Sequence, residues 1–378
     1  MRSLKIVFVL LLSFLFLPKA FAQIPLSEQA KITLLTCGTG EELYSVFGHT
    51  AIRVADPNRG MDVVYNFGSF DFSTPNFYLK FIKGDLQYFV SIGSYNDFIA
   101  EYIYYERSVY EQELFLNATQ KQNIANELSD ILLSDRRFYT YKFIDRNCTT
   151  MVADIITDNI DGKISMETVD KGKTNREILY GYLDDHFYEK LGINLIFGHK
   201  TDKTSDKLFL PLELKEGIEN TTINGKPLAK NTVTVVEEKN EQQESSLWNN
   251  FYSFAFVMIL LMYFTKNRTV RLSYMIITGL LGIFFLTVGF YSFHNEITQN
   301  YNTLLINPLF ILLAFFSIAN KTKGMQVTTY ICVALLLLYV IYMLNKPHLL
   351  IMLPIIILHA LVLIRVIKEN KNQQLKSA

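Results

Sequence analysis

Cysteine is scarce in this chain: three residues in 378, at positions 37, 148 and 332. That leaves no basis for a disulfide-stapled scaffold. Charge bias is missing too. With 36 basic against 36 acidic residues, the chain lacks the electrostatic footprint of a nucleic-acid binder. What it has in abundance is long apolar runs, and they are unevenly placed. Up to Ser246 charges occur throughout, whereas from Leu247 onward runs long enough to cross a bilayer follow one another almost without pause.

The first residues read as an export signal. Arg2 and Lys5 precede an apolar run from Ile6 to Leu17, and Ala20-Phe21-Ala22 offers small residues at the two positions a signal peptidase reads. The mature chain is therefore expected to start at Gln23, outside the cytoplasmic membrane. A lipoprotein start would need a cysteine just after the apolar run. LLTC, ending at Cys37, instead follows a polar stretch and has Thr36 where Gly or Ala is wanted.

Five apolar runs are expected to span: about 247 to 265, 271 to 293, 303 to 319, 327 to 344 and 348 to 367. An outside amino-terminal domain requires the first to run inward. Lys266, Arg268, Arg271, Lys321, Lys323, Arg365, Lys368, Lys371 and Lys376 then fall on the inner side, with Lys346 on the outer. The domains read as a signal peptide at 1–22, an outer domain at 23–200, a small strand pair and polar tether at 201–246, a five-helix membrane domain at 247–370 and a cytoplasmic tail at 371–378.

The outer domain carries an α+β pattern. ITLLT, TAIRV, VVYNF, LQYFV and VYEQELFL read as strands, several separated by turn signals such as DPNRG at 56–60. Between them, Ile124, Leu128, Ile131 and Leu132 share one face of a helix over 118–133. KLFLPLEL and the turn-like INGKP suggest a small strand pair, and EEKNEQQESS at 237–246 a solvated tether.

In FIDRNCTTMVADII, Asp145 or Asn147 is a good helix cap, and Val152, Ile155 and Ile156 form an apolar face, so Cys148 falls in the first helical turn. There the helix dipole and unpaired amides favour thiolate over thiol. Such a nucleophile needs a base, and His49 of VFGHTAIRV is the best candidate. His186 and His199 read as surface histidines. If TAIRV and VVYNF pair about DPNRG, position 49 lies opposite 66 and Asn66 can orient the imidazole; Asp62 or Asp71 would be substitutes. A disulfide between Cys37 and Cys148 is the competing reading, since Cys332 lies inside a span. One histidine and one cysteine 99 positions apart (148 − 49) make a weak signal by themselves.

TCGTGEELYSVFGHTAIRV, YNFGSFDF, FIKGDLQY and RNCTT, in this order and followed by a multi-span region, resemble the Lnb family across nearly the whole mature chain. The resemblance implies bacterial lipoprotein N-acylation and an outer domain like circularly permuted papain-like folds, the group of NlpC-type peptidases and lecithin:retinol acyltransferases. It also implies Cys148 as nucleophile, His49 as base and Asn66 as third residue. Tyr44, Ser45, Arg53, Tyr65 and Asn147 become candidates for shaping the site or holding a phosphate.

HNEITQNYNTLLINP, residues 294–308, crowds His294, Glu296, Asn300, Asn302 and Asn307 at the outer end of two spans. An ordinary wet loop accounts for most of them, yet His294, Asn302 and Asn307 are also candidate contacts for a lipid headgroup or an incoming lipoprotein. His348 and His359 read as helix-packing residues.

The expectation is thus a cysteine-dependent acyltransferase at the outer face of the inner membrane, its C-terminus cytoplasmic. It would move an acyl chain from a membrane phospholipid, through a thioester, to the amine of a diacylated lipoprotein, with no metal or other cofactor. The alternatives are a membrane-tethered NlpC-like peptidoglycan endopeptidase or amidase, and a non-catalytic envelope sensor or assembly factor.

Overall fold

Branched and aromatic residues alternating with small or polar ones produce strands with two distinct faces, and the first half of the chain builds one sheet from such segments. The computed structural model describes residues 25–238 and 246–377; the expected signal segment at 1–22 and most of the expected tether lie outside them. Strands β1 (Lys31–Cys37), β2 (His49–Asp56), β3 (Met61–Ser69) and β4 (Gln87–Ser94) form an antiparallel meander. Beyond β1 lie β5 (Val109–Glu113) and β9 (Val233–Val236), and β6 (Phe138–Thr140) borders β4, giving the order β6-β4-β3-β2-β1-β5-β9. Strands β6 and β9 are too short to show a period, and the sequence reading missed both.

The helices of this half are α1 (Phe77–Lys83), α2 (Tyr95–Tyr104), α3 (Ala118–Leu133), α4 (Cys148–Asp158), α5 (Asn175–Tyr180), α6 (Phe187–Ile196) and α7 (Pro211–Glu219). One sheet face puts Ile32, Leu34, Ile52, Val54 and Phe67 against Ile124 and Leu128 of α3 and Val152 and Ile156 of α4. Leu35, Ala51 and Val64, the alternate positions, meet Phe98 and Tyr102 of α2. Burying each such Leu or Ile contributes about 1.5–3 kcal/mol, which fixes where α4 begins relative to the strands.

Around residues 208–227 the sequence reading needs correction. PLELKEGIE is helix α7, with Pro211 at its first turn and Leu214 and Ile218 on its buried face. The strand pair is only β7 (Thr222–Ile223) with β8 (Lys226–Pro227), folded about Asn224-Gly225.

The second half consists of α8 (Phe251–Phe264), α9 (Arg268–Tyr291), α10 (Leu309–Ile318), α11 (Thr322–Met343) and α12 (Leu349–Ser377). Among the described residues four stretches are long and apolar enough to cross a membrane: Arg268–Tyr291, Asn295–Ile318, Thr322–Met343 and Leu349–Leu375. Helix α8 is equally apolar but has 14 residues, roughly 21 Å at 1.5 Å each, short of a hydrocarbon core of about 30 Å. Five spans were expected; four reach the length.

The bundle has two chemically different ends. Arg268 and Arg271 both pair with Glu369, and Arg365 donates to the Met262 carbonyl at 2.8 Å. At the other end Lys346 pairs with Asp202 at 2.8 Å, and Asp202 in turn with the fully buried Arg176 at 2.7 Å. Arg176 also donates to Asn194 at 2.8 Å and to the Tyr301 hydroxyl at 3.3 Å, so outer domain and bundle share a buried polar junction.

Segment 294–308 is not a wet loop. Glu296, Asn300, Asn302 and Asn307 are all buried, and only two short 3-10 turns, Asn295–Ile297 and Tyr301–Leu304, precede α10. Irregular backbone at the end of a membrane bundle is tolerated when protein covers it, and here the outer domain does so.

Candidate active site

Asn147 is the residue on which the site is built. Its backbone is extended, its side chain accepts from Thr150 N at 2.9 Å, and Thr150 Oγ1 accepts from Asn147 N at 2.9 Å. This reciprocal capping box starts α4 at Cys148. The Asn147 amide also donates to the Phe143 and Phe209 carbonyls at 2.7 and 2.8 Å, fixing the cap in the outer domain. With the Thr150 amide taken by the cap, the amides of Cys148 and Thr149 head the helix.

His49 opens β2 directly after Gly48, whose φ of 77° would strain any side chain. Asn66 does not face it in register. The β2–β3 ladder pairs Ala51 with Asn66, two residues from the expected pairing of 49 with 66. An even shift keeps both side chains on one face, and His49 Nε2 still meets Asn66 Oδ1 at 2.6 Å. With the amide oxygen accepting from Nε2–H, Nδ1 is left as the basic nitrogen. Asp62 pairs with Arg53, and Asp71 binds Ser73, so neither substitute serves.

Cys148 and His49 are both half-buried and interact directly. Burial pushes the Cys148 thiol up, but the charge and hydrogen bond of His49, the Thr50 amide and the Thr149 hydroxyl outweigh it, so the thiol titrates below its ordinary value. Burial likewise disfavours the His49 cation, yet the Cys148 charge and the bonds from Cys148 and Asn66 leave the imidazole above its ordinary value. The two shifts run in the same sense, each group favouring the charged form of the other.

Two nearby residues carried no sequence signal. Gly68, with φ of 101°, lies so close that a β-carbon there would stand 3.8 Å from both Cys148 Cβ and His49 Cε1. It is the open floor of the site. Tyr139, on β6, puts a buried hydroxyl beside the Gly68 backbone, without a well-formed partner among the described residues. Its strand was missed, and its distance from the cysteine in the bundle of strands could not be read from FYTYKF.

All three cysteines are free. Cys37 lies across the ladder from His49, buried against Tyr102, and desolvation pushes its thiol up to about 12. Of these two thiols, only Cys148 has surroundings that favour the thiolate.

The other sequence candidates are engaged elsewhere. Arg53 is held by Asp62 and Glu111 at 2.7 and 3.0 Å and lies over the Tyr95 ring. Tyr65 is a core residue. Ser45 donates to the Glu42 carbonyl, and the exposed Tyr44 borders an acidic cleft of about 1660 Å³ whose lining omits Cys148 and His49. Asn302 spends its side chain on the Asn194 carbonyl, Asn300 and the Tyr339 hydroxyl, and Asn307 caps Leu309.

His294 and Glu296 act differently from the expectation. Glu296 Oε1 accepts from Ile144 N at 3.1 Å, Asn295 donates to Asp145 at 3.1 Å, and Lys142 donates to the Phe293 carbonyl. Residues 293–296 of the membrane half therefore grip the loop that delivers Cys148. Among the described residues no three His, Cys, Asp or Glu side chains are grouped as metal ligands would be.

Residues 18–181 match the family model described as the Lnb N-terminal periplasmic domain. The matched segment contains His49, Asn66 and Cys148. No curated protein and no solved structure matches the chain.

Proposed function

We propose that the protein, whose residues 18–181 match the Lnb N-terminal periplasmic domain, is a lipoprotein N-acyltransferase of the inner membrane, with α8 as a fifth, short crossing that leaves the C-terminus cytoplasmic. The observation that carries this reading is the Cys148–His49–Asn66 chain at the start of α4, gripped from below by the end of a membrane span. A histidine on a strand ahead of a cysteine at a helix start is also the order of a permuted papain-like domain.

The Cys148 thiolate attacks an ester carbonyl of a phospholipid. The oxyanion forms beside the Cys148 amide and the Tyr139 hydroxyl. As the ester C–O bond breaks, the His49 imidazolium gives its proton to the departing lysophospholipid oxygen, leaving a thioester and a neutral imidazole. The α-amine of a diacylglyceryl-cysteine then attacks the thioester; with an ordinary pKa near 8, a usable fraction is already neutral. The C–S bond breaks, the amide forms, and the amine's proton passes to His49, which restores the starting ion pair. No electron donor is needed.

Deleting the gene and measuring lipoprotein amino-terminal masses tests the proposal. The expected result is loss of the third acyl chain, restored by the wild-type protein and not by Cys148→Ser. Unchanged triacylation would overturn it, and uncut peptidoglycan cross-links accumulating in the deletion strain would favour an endopeptidase.

A further inference from the structure

Helix α1 has the composition of a core helix and the exposure of a surface one. Its sequence is FYLKFIK, yet no residue in it is buried, and Tyr78 and Leu79 are 73% and 69% exposed. Phe81, Ile82 and the preceding Phe72 are exposed as well. An isolated exposed leucine is ordinary, but a contiguous patch of five large apolar side chains in water is not.

The position of α1 identifies what covers it. Its last carbonyls are capped by the residues that end membrane span α9: Ser292 Oγ donates to the Ile82 carbonyl at 2.9 Å, Phe293 N to the Lys83 carbonyl at 2.7 Å, and His294 Nε2 meets the Phe81 carbonyl at 2.7 Å. Gly84 is tight against His294, where a β-carbon would come within 2.9 Å. The helix is thus fixed at the level where a bilayer-crossing helix emerges, beside the equally exposed Phe290 and Tyr291. Aromatic and aliphatic side chains interleaved with Lys80 and Lys83 suit that depth, since rings and lysine stems sit at the headgroup boundary.

An aromatic track continues from α1 toward the nucleophile. Phe77 contacts Phe70 at 6.0 Å between ring centres, Phe70 contacts Tyr88 at 5.3 Å, and Tyr88 contacts Tyr139 at 6.2 Å. The Tyr139 hydroxyl adjoins Gly68 and, across it, Cys148. We propose that α1 is inserted in the outer leaflet of the bilayer and that the acyl chain of the donor phospholipid passes along it and the Phe70–Tyr88 track to Cys148. This rests on the acyltransferase reading for the identity of the cargo, while the insertion of α1 stands on geometry alone.

The two parts are separately testable in the full-length protein reconstituted in phospholipid nanodiscs. In a Trp248→Phe background, Leu79→Trp places the only indole on α1, and phospholipids brominated high on their acyl chains should quench it strongly. No quenching overturns insertion. Second, thioester formation on Cys148 is measured by mass with bilayer phospholipid and with a short-chain water-soluble ester. Leu79→Glu with Ile82→Glu should lower the phospholipid rate at least tenfold and leave the soluble ester rate unchanged, whereas Leu133→Glu, an equally exposed leucine on α3, should affect neither. Equal loss with both esters, or no loss with either, overturns the passage. Absence of any thioester on the wild-type protein would instead sink the acyltransferase reading, with the quenching still deciding whether α1 is inserted.

Discussion

His49 and Asn66 share a 2.6 Å hydrogen bond although Asn66 pairs in the ladder with Ala51, so the amide reaches the imidazole diagonally across β2 and β3. A diagonal contact orients the ring without standing between it and Cys148. Replacing His49 with Ala removes the proposed proton carrier of both half-reactions and should cost about 10²–10⁴-fold in acyl transfer. Asn66→Ala, which frees only the ring's orientation and tautomer, should cost less, and His186→Ala should be neutral. Steady-state rates on all three variants decide the order; equal small losses at 49 and 66 would point to a different base.

Cys148→Ser should abolish thioester formation while the protein stays folded and membrane-inserted, because the change removes only the polarizable, ionised sulfur. Cys37→Ala should retain activity, since that thiol is buried, faces Tyr102 and is pushed up to about 12. Intact-mass measurement after incubation with phospholipid reads both. An acyl adduct on the Cys148→Ser protein would refute the assignment.

The ionisation of the dyad gives a signed pH dependence. Cys148 lies below the ordinary cysteine value and His49 above the ordinary histidine value, so both shifts run toward the ion pair that the proposed mechanism starts from. Alkylation of Cys148 by iodoacetamide should fall on the acid side as the thiolate takes up a proton. Acyl transfer should fall on the alkaline side as His49 loses the proton it gives to the leaving group. In His49→Ala the main lowering influence is gone, and the alkylation midpoint should move upward. A midpoint unchanged by that substitution would mean that His49 does not set the thiol's ionisation.

Glu296 should prove to be a positioning residue. Its carboxylate holds Ile144 N, and the loop from Ile144 to Asn147 delivers Cys148. Glu296→Ala leaves a buried amide unsatisfied, which costs about 1–3 kcal/mol, so thioester formation should fall roughly ten- to hundredfold. Glu296→Gln keeps an acceptor and should stay near wild type. Rescue by Gln but not by Ala separates positioning from charge; similar losses in both would argue for an ionised role.

The membrane half should be irreplaceable. The outer domain moved onto an unrelated single span, joined within the 239–245 segment, loses the grip of residues 293–296 and the partners of Arg176 and Asp202. Its proposed substrates remain in the bilayer, and drawing their chains into water costs about 0.8 kcal/mol per methylene. Lipoprotein amino-terminal masses at matched expression should show no third chain. Normal triacylation by the single-span form would show that the bundle is only an anchor.

Some of this was legible one segment at a time. Two-residue alternation marked β1 through β5, 3.6-residue spacing marked α3 over residues 118–133, and a capping residue before an apolar face put Cys148 at a helix start, because each is a local property of the backbone. Long apolar runs likewise announced a bundle. The partnerships were not local. Which residue of β3 His49 would meet depended on a register two residues from the one the turn suggested, and the fate of Asn302 depended on a domain that covers it. A polar cluster reads the same in sequence whether its hydrogen bonds go to substrate or to protein, and only the tertiary structure shows them already spent. The seven residues of α1 carry no period long enough to interpret; their meaning comes from Ser292 to His294, more than two hundred positions away (292 − 83 = 209), which hold that helix where a membrane span ends.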